Sequence, residues 1–441
     1  MKYLLYLLAG TIPLLASISG RVVDARGGEP LARVRIRMLG ASNLETATNP
    51  EGRFRLEAVA SGSYTLQVET VGYRLIKQTV TVIESEDQNI DIVLSPETFQ
   101  RTETVEVRAG AFEVEEASPA SAPLTLTGAE VKNLSTVLMD DPIRAVHALP
   151  GVAANNDFQS QFTLRGADFR RIGLYIDDVL VHMPFHSIAN EGDASLSMLN
   201  GEMVSDMLLL PIAFPARYSD RTAGILELRT REGSRLKRSI RVVSGVAATS
   251  VLAEAPFAGG KGTWIASARK SYLQYLLKRL NTENGLLIGY MDVQARLGYS
   301  LTDRQQVSLY VLDGVTDLDR TTRRQQSGVN ALIEAKNRST LTKASWQYTP
   351  VSKFVLTATG AWLRERFHSI NRESRPIDYG AYGEWIGNGR ASWQMSTALS
   401  FEGGWSTRRM RDEGFAFRYL NNPPRVLQQD RHRGTGPRNG A

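Results

Sequence analysis

Five histidines, His147, His182, His186, His368 and His432, are the first candidates for metal or proton chemistry. None is followed three residues later by a glutamate, so no metallopeptidase-type ligand pair is present. His182 and His186 stand four apart, a spacing that brings two imidazoles to one metal only on a helix. Met183-Pro184 between them opposes a helix, so both read as loop residues. The absence of cysteine excludes disulfides, thiol nucleophiles, thiolate zinc and iron–sulfur clusters. Gly259-Gly260-Lys261-Gly262-Thr263 has the wrong spacing for a phosphate loop. No Ser/His/Asp or paired-carboxylate constellation occurs at recognisable spacing. The expectation is a protein without enzymatic activity and without a cofactor or metal.

The elements that would carry any other function are mostly strands. The chain of 441 residues is long enough for two or three domains. No apolar run of about 18–20 residues follows the N-terminus, which excludes transmembrane helices but not strands that cross a membrane. Met1-Lys2, the apolar Tyr3 to Leu15 and the small residues Ala16, Ser17 and Ser19 form a secretory signal pattern over 1–19. The competing readings are a buried first strand or an anchor. The net charge of +6 suits a solvated surface. In an exported protein it would meet anionic lipid or lipopolysaccharide rather than nucleic acid.

Residues 18–95 alternate with period two. Val34, Ile36 and Met38 interleave with Arg33, Arg35 and Arg37, and Asn49-Pro50-Glu51-Gly52 marks a turn before Phe54 and Leu56. Tyr64-Leu66-Val68, Val80-Val82 and Ile90-Ile92-Leu94 add strands, giving a small antiparallel β-sandwich. Gly20, Val22, Asp24, Pro30-Leu31, Thr48-Asn49, Gly52, Phe54, Gly62, Tyr64, Gly72 and Tyr73 resemble the carboxypeptidase regulatory-like domain, a transthyretin-like sandwich.

Residues 96–124 read as an Ala-, Ser-, Pro- and Glu-rich linker holding one extended run, Glu103, Thr104, Val105, Glu106 and Val107. From 125 to 233 the pattern becomes mixed α+β. Thr127 and Glu130 form a capping box, and Asp141-Pro142 starts a second helix ending at Pro150-Gly151. Strands are expected at Phe162–Leu164, Leu174–Ile176, Met207–Leu210 and Ile225–Thr230.

Ala148-Leu149-Pro150-Gly151-Val152, Leu164-Arg165-Gly166, Leu174-Tyr175-Ile176-Asp177-Asp178-Val179, Pro184-Phe185-His186, Phe214-Pro215-Ala216-Arg217-Tyr218 with Arg221, and Gly224 to Thr230 resemble, in this order, the plug of TonB-dependent outer-membrane receptors. The resemblance implies that Arg165, Arg217 and Arg221 lie against a barrel wall and pair with acids there. Gly166, Asp177 and Tyr218 belong to the same motifs. Asp178 stands where the family has glycine, and aspartate tolerates a left-handed turn. Ser219-Asp220 replaces a Gly pair. Glu103 to Val107 falls where the family carries its TonB box; the alternative is a last strand of the first domain.

From 236 to 420 the alternation is that of a transmembrane barrel, apolar outside and polar inside. Val293, Ala295, Leu297, Tyr299 and Leu301 oppose Gln294, Arg296, Gly298 and Ser300. Ala391, Trp393, Met395, Leu399 and Phe401 oppose Arg390, Ser392, Gln394 and Ser400, and Phe354, Leu356 and Trp362 share a face. Residues 421–441 show no alternation and read as an irregular tail. The length suffices for about 8–10 strands where a plug needs about 22, so the barrel reads as truncated. The expected architecture is mainly β: signal peptide, sandwich, plug and partial antiparallel barrel. The resemblance implies uptake of an iron chelate, cobalamin, glycan or peptide, energised through TonB. A binding or adhesin-like outer-membrane protein is the alternative.

Overall fold

The computed structural model describes residues 16–94 and 124–440, except 25–29, 40–43, 71–72, 74–75, 83–87, 136–140, 155–159, 183, 187–195, 213, 216, 219–220, 236, 246–247, 273–274, 276–287, 303, 322–326, 352, 396–398 and 422–423. Met1 to Leu15, the linker with Glu103 to Val107, and Ser219-Asp220 lie outside the described residues. The chain divides into two units, the first holding the N-terminal sandwich and the second the plug and the strands that follow it, apart from Val351–Phe354.

The first unit has seven strands: β1 (Ala16–Asp24), β2 (Arg35–Leu39), β3 (Glu45–Ala47), β4 (Arg53–Val59), β5 (Gly62–Glu69), β6 (Ile76–Val82) and β7 (Gln88–Leu94). They form two sheets, ordered β4-β1-β7 and β3-β2-β5-β6. Alternate residues Ile18, Val22, Ile36, Leu66, Val68, Ile92 and Leu94 point between the sheets and are buried. The expected sandwich is present with two corrections. Strand β7 runs parallel to β1, because the chain crosses from the second sheet back to the first. Strand β2 also begins later than the alternation suggested, since Arg33 is left-handed (φ 60°). Two resemblance residues have visible structural reasons. A Cβ on Gly20 would lie 1.9 Å from the Ile90 carbonyl oxygen, so only glycine lets β1 approach β7. The Thr48 hydroxyl donates to the Leu31 carbonyl (2.6 Å) and accepts from the Val34 amide (2.9 Å), tying the first turn to β2.

The plug contains β8 (Leu124–Thr127), helix α1 (Gly128–Ser135), β9 (Val152–Ala154), β10 (Phe162–Leu164), β11 (Ile172–Ile176), β12 (Val179–Leu180), β13 (Val204–Leu210) and β14 (Gly224–Thr230). Its main sheet is ordered β12-β11-β14-β13-β8, with β11 parallel to β14. The capping box forms as expected: the Thr127 amide and hydroxyl both donate to the Glu130 carboxylate at 2.8 Å. Those bonds hold the Glu130 carboxyl below its usual pKa. The second expected helix is instead a 3-10 turn, Pro142–Ala148. Asp141 caps it from full burial, accepting from the Ile143 amide and from the amide and hydroxyl of Ser197, with Ser160 donating as well. A carboxylate so occupied anchors three segments.

Ten strands follow in one antiparallel sheet, in sequence order: β15 (Ser239–Ser244), β16 (Ala248–Phe257), β17 (Gly262–Ser271), β18 (Ile288–Thr302), β19 (Gln305–Asp319), β20 (Glu334–Val351), β21 (Phe354–Ile370), β22 (Pro376–Gln394), β23 (Ser400–Asn421) and β24 (Pro424–Gly440). Two expectations are corrected. The run Ala391 to Phe401 is a hairpin, not one strand; Trp393 and Phe401 are direct cross-strand partners, which preserves the shared apolar face. The tail expected to be irregular is β24, paired along β23 from Asn421↔Pro424 to Ser406↔Gly440. Its pairing uses backbone groups that the edge of β23 would otherwise leave open, and that requires no side-chain alternation. Outward residues are apolar and exposed, as in Trp264, Val293, Leu297, Leu309, Trp385, Trp393 and Trp405. Their inward neighbours Arg269, Asp292, Gln294, Lys343 and Glu384 are buried. Among the described residues no helix is long and apolar enough to cross a membrane, which leaves strands unaddressed.

Candidate functional site at the plug–wall interface

One stretch of the plug, Asp177 to His186, makes polar contacts with strands β18, β19, β20, β22 and β23 of the wall. It begins with the two-residue turn between β11 and β12, where Asp177 (φ 46°) and Asp178 (φ 67°) are both left-handed. This is the backbone of a tight hairpin turn that favours Asn, Asp and Gly, so the aspartate in place of glycine is accommodated.

Asp177 is nearly buried. Its carboxylate accepts from the amide (2.7 Å) and hydroxyl (2.6 Å) of Thr230, and lies 3.4 Å from Lys343 on β20 and 3.6 Å from Arg296 on β18. Lys343 also donates to the Asp177 carbonyl at 2.8 Å. Burial alone would raise the Asp177 pKa; the Lys343 and Arg296 charges and the Thr230 bonds outweigh it and hold the carboxyl below its usual range. Asp178 receives a two-pronged contact from Arg390 on β22, at 3.3 and 3.4 Å. Both partners are about one-third exposed, so this pair contributes only about 0–1 kcal/mol. The Asp177 cluster is the stronger attachment, because Lys343 and Asp177 are only 9% and 12% exposed.

Five residues on, His182 lies between plug and wall. Its Nδ1 is 3.2 Å from Arg221, and its Nε2 is 3.3 Å from Glu384 on β22 and 2.8 Å from Arg408 on β23. Glu384 also accepts from Arg408 and from the Tyr382 hydroxyl. At the end of the stretch His186 is fully buried. Its Nδ1 is 3.0 Å from the Thr316 hydroxyl on β19 and its Nε2 3.1 Å from Asp292 on β18. Asp292 is paired with Arg269 on β17 at 2.8 Å, and Arg269 donates to the Ser197 carbonyl of the plug at 2.6 Å. Burial lowers the His186 pKa, Asp292 opposing, so the ring is neutral and bridges as donor and acceptor.

The residues singled out from sequence take different places. Arg217 feels the charge of Glu402 on β23 of the wall, although its nearest acids are on the plug. It lies 3.6 Å from Glu227 of β14 and 3.9 Å from Asp178, and its guanidinium stacks on Tyr218. Tyr218 donates to Glu227, so the closing motif folds back on the plug's own last strand. Burial and the Glu227 charge push the Tyr218 hydroxyl pKa up. Arg221 donates to the Arg170 carbonyl and contacts His182. Arg165 and Gly166 form the tight left-handed turn after β10, with Arg165 exposed and its amide donating to the Gly151 carbonyl. At Asp177 the acid is on the plug and the cations are on the wall, whereas at His182 the acid, Glu384, is on the wall. Arg296 and Arg390 were legible as inward residues from alternation. Arg269, Asp292, Lys343, Glu384 and Arg408 were missed, although the same parity places them inward. His182 and His186 are loop residues as expected, but His186 is a buried bridge. Among the described residues no three His, Asp or Glu groups converge at metal-ligand distance.

A polar cavity of about 210 Å³ opens beside Asp177, between Arg229, Arg296 and Lys343 and the hydroxyls of Ser308, Ser345 and Thr359. A second, of about 340 Å³, separates Tyr175 and Tyr218 from Ile386, Asn388 and Trp405. Both lie along the seam on which the plug would have to part from the wall.

Residues 17–95 match the carboxypeptidase regulatory-like domain family. No curated protein matches the chain. Among solved structures the chain is similar to the siderophore receptor PiuA from Acinetobacter baumannii, with 9% identity, TM-score 0.51, and coverage of 70% of this chain and 48% of that one. It is similar to the ferric citrate transporter FecA, with 14% identity, TM-score 0.50, and coverage of 71% and 52%. It is also similar to P. aeruginosa FpvA in complex with an iron-loaded pyoverdine, with 10% identity, TM-score 0.53, and coverage of 72% and 48%. The chain spans about half the length of these structures. It has the plug and barrel-strand fold of TonB-dependent receptors, preceded in sequence by a carboxypeptidase regulatory-like domain.

Proposed function

We propose that this protein is an outer-membrane receptor that takes up a small substrate by energy-coupled movement of its plug. The observation that carries the proposal is the seating of Asp177 to His186. One short plug segment is tied to strands β18, β19, β20, β22 and β23 by polar side-chain contacts, beside an apolar contact in which Phe185 shares a buried cluster with Tyr310, Leu312, Leu341 and Ile386 of the wall. Polar pairs of this kind fix one docked position, yet they can exchange partners with water once the seam opens. A covalent step has no place in this function.

Glu103 to Val107 serves as the TonB-coupling segment. It is short, alternating and separated from the plug by a linker, which suits strand addition to a partner's sheet edge. The similar structures named above are a siderophore receptor, a ferric citrate transporter and a pyoverdine complex, so ferric chelates are the first substrate class to test. Cobalamin, glycans and peptides are the other classes. The number of buried pairs across the seam also supports a second reading, an adhesin-like receptor whose plug stays docked. Collapse of the proton gradient separates the two. Energised uptake stops while surface binding persists; in the docked-plug reading accumulation never depends on the gradient.

A further inference from the structure

The larger of the two seam cavities, about 340 Å³, has an apolar side and a charged side. Tyr175, Leu180 and Tyr218 of the plug and Ile386 of β22 make the apolar side, and all four are buried. The Tyr175 and Tyr218 rings meet edge to face at 4.9 Å, which fixes the shape of that side. The charged side belongs to the wall, where Arg390 of β22 and Glu402 of β23 stand on neighbouring strands.

Arg390 and Glu402 face each other at 4.0 Å. A charge-assisted hydrogen bond between such groups spans about 2.7–2.9 Å, so the two attract without bonding. Glu402 accepts no hydrogen bond among the described residues, although its side chain is only 30% exposed. Arg390 directs two of its five N–H donors at Asp178, at 3.3 and 3.4 Å, which leaves the others for a further acceptor. Two opposite charges thus stand side by side at the cavity, both able to take another partner. A lone anion placed there would sit beside Glu402 and give it no donor. A lone cation would sit beside Arg390 and give it no acceptor. A ligand that carries both charges close together satisfies both.

The cavity also has a side from which it can be reached. Thr357, Arg390 and Glu402 line it and stand within four residues of the short connections 352–353 and 395–399. The long connections 272–287 and 320–333 are at the other end of the sheet. Short turns face the periplasm in outer-membrane barrels, so the ligand comes from that side.

We infer that this cavity binds a free α-amino acid with an apolar or aromatic side chain. Its carboxylate lies on Arg390, its ammonium on Glu402, and its side chain against Tyr175, Tyr218 and Ile386. An α-amino acid carries its opposite charges on one carbon, which matches an adjacent Arg–Glu pair. The volume is at the low end of the range of about 300–1,000 Å³ for small-molecule sites, which suits one amino acid and not a bulky chelate. The ligand touches plug and wall together, so its occupancy opposes opening of the seam. The inference goes beyond uptake and requires only the docked plug.

The test uses the full chain, purified in detergent and titrated calorimetrically with L-phenylalanine. L-phenylalanine is expected to bind at least tenfold more tightly than phenylpropionate, which lacks the ammonium, and than phenethylamine, which lacks the carboxylate. Glu402→Gln removes the preference over phenylpropionate, and Arg390→Gln removes the preference over phenethylamine. At a hundredfold excess over its Kd, L-phenylalanine slows hydrogen exchange by opening of 172–181 by about 100-fold. No binding of L-phenylalanine, or equal binding of the three compounds by the unaltered chain, would overturn the inference without recourse to any variant. Unchanged discrimination in Glu402→Gln, or binding that leaves exchange at 172–181 unslowed, would overturn it as well. Loss of energised uptake bears on the uptake reading alone, since binding in detergent needs no energy source.

Discussion

Asp177→Asn isolates the charge at the strongest plug–wall contact. Asparagine is nearly isosteric and tolerates the left-handed backbone that Asp177 adopts at φ 46°, so the turn survives. The side-chain oxygen can still accept from Thr230. What disappears is the negative charge that Lys343 and Arg296 face at 3.4 and 3.6 Å. Lys343 is 9% exposed and would be left facing no carboxylate at that position. Removing one partner of a buried pair costs about 3–5 kcal/mol, and the retained Thr230 bonds reduce this to roughly 2–4 kcal/mol. At 1.36 kcal/mol per tenfold, local opening of the hairpin should rise about 30- to 1,000-fold. Native-state hydrogen exchange on peptides spanning 172–181 and 224–231 measures it, with β18 and β19 as internal references. Lys343→Met in the same chain should restore much of the protection by removing the stranded charge. A change below threefold in Asp177→Asn, or no rescue by Lys343→Met, would refute the reasoning.

Three further outcomes follow from the same structure. Docking at His186 should weaken with acid: burial lowers its pKa from the usual 6.5, so undocked plug binds the extra proton below about pH 6.5 and docking is favoured above it. Exchange protection around 184–186 should fall as pH drops from 7 to 5, and His186→Gln should flatten that dependence. Val105→Pro removes a backbone donor from the TonB-coupling segment and should stop uptake while leaving surface binding unchanged, as measured with one labelled substrate at two temperatures. Signal cleavage should fall at or before Ala16, because β1 begins there and Ile18 is fully buried; N-terminal sequencing that starts at Ser19 or later would contradict this.

Period two was the signal that survived folding. It placed Val293, Leu297 and Trp393 outside and Gln294 and Arg296 inside, because a strand whose two faces meet different media cannot shift register by one residue. The Asp-for-Gly exchange at 178 was also readable, since turn geometry is local. The helix after Asp141 was readable in place but not as a 3-10 turn, and the bonds from Ser160 and Ser197 to its cap, distant in sequence, were not readable at all. Strand β24 was unreadable for a related reason: its pairing depends on the neighbouring edge rather than on its own pattern. The site itself was half legible. Motif order pointed to Asp177, Arg217 and Arg221, but not to their partners. Whether a plug residue meets Lys343 or Asp292 depends on how the plug sits against strands β18 and β20, and no local pattern encodes that. His186 looked like an ordinary loop residue because the wall residues at its ring, Tyr290, Asp292 and Thr316, are more than 100 positions away in sequence.

The central claim is that uptake requires the plug to leave the wall. Asp178 and Asn388 touch across the seam, with the Asn388 amide 3.2 Å from the Asp178 carbonyl, and the chain has no cysteine of its own. Cysteines at both positions, joined by a short thiol-reactive linker in living cells, give one defined tether. The account predicts that tethered receptor binds a labelled ferric chelate at the surface but does not pass it, and that a cleavable linker restores passage on reduction. Uptake at the untethered rate with the linker in place would contradict it.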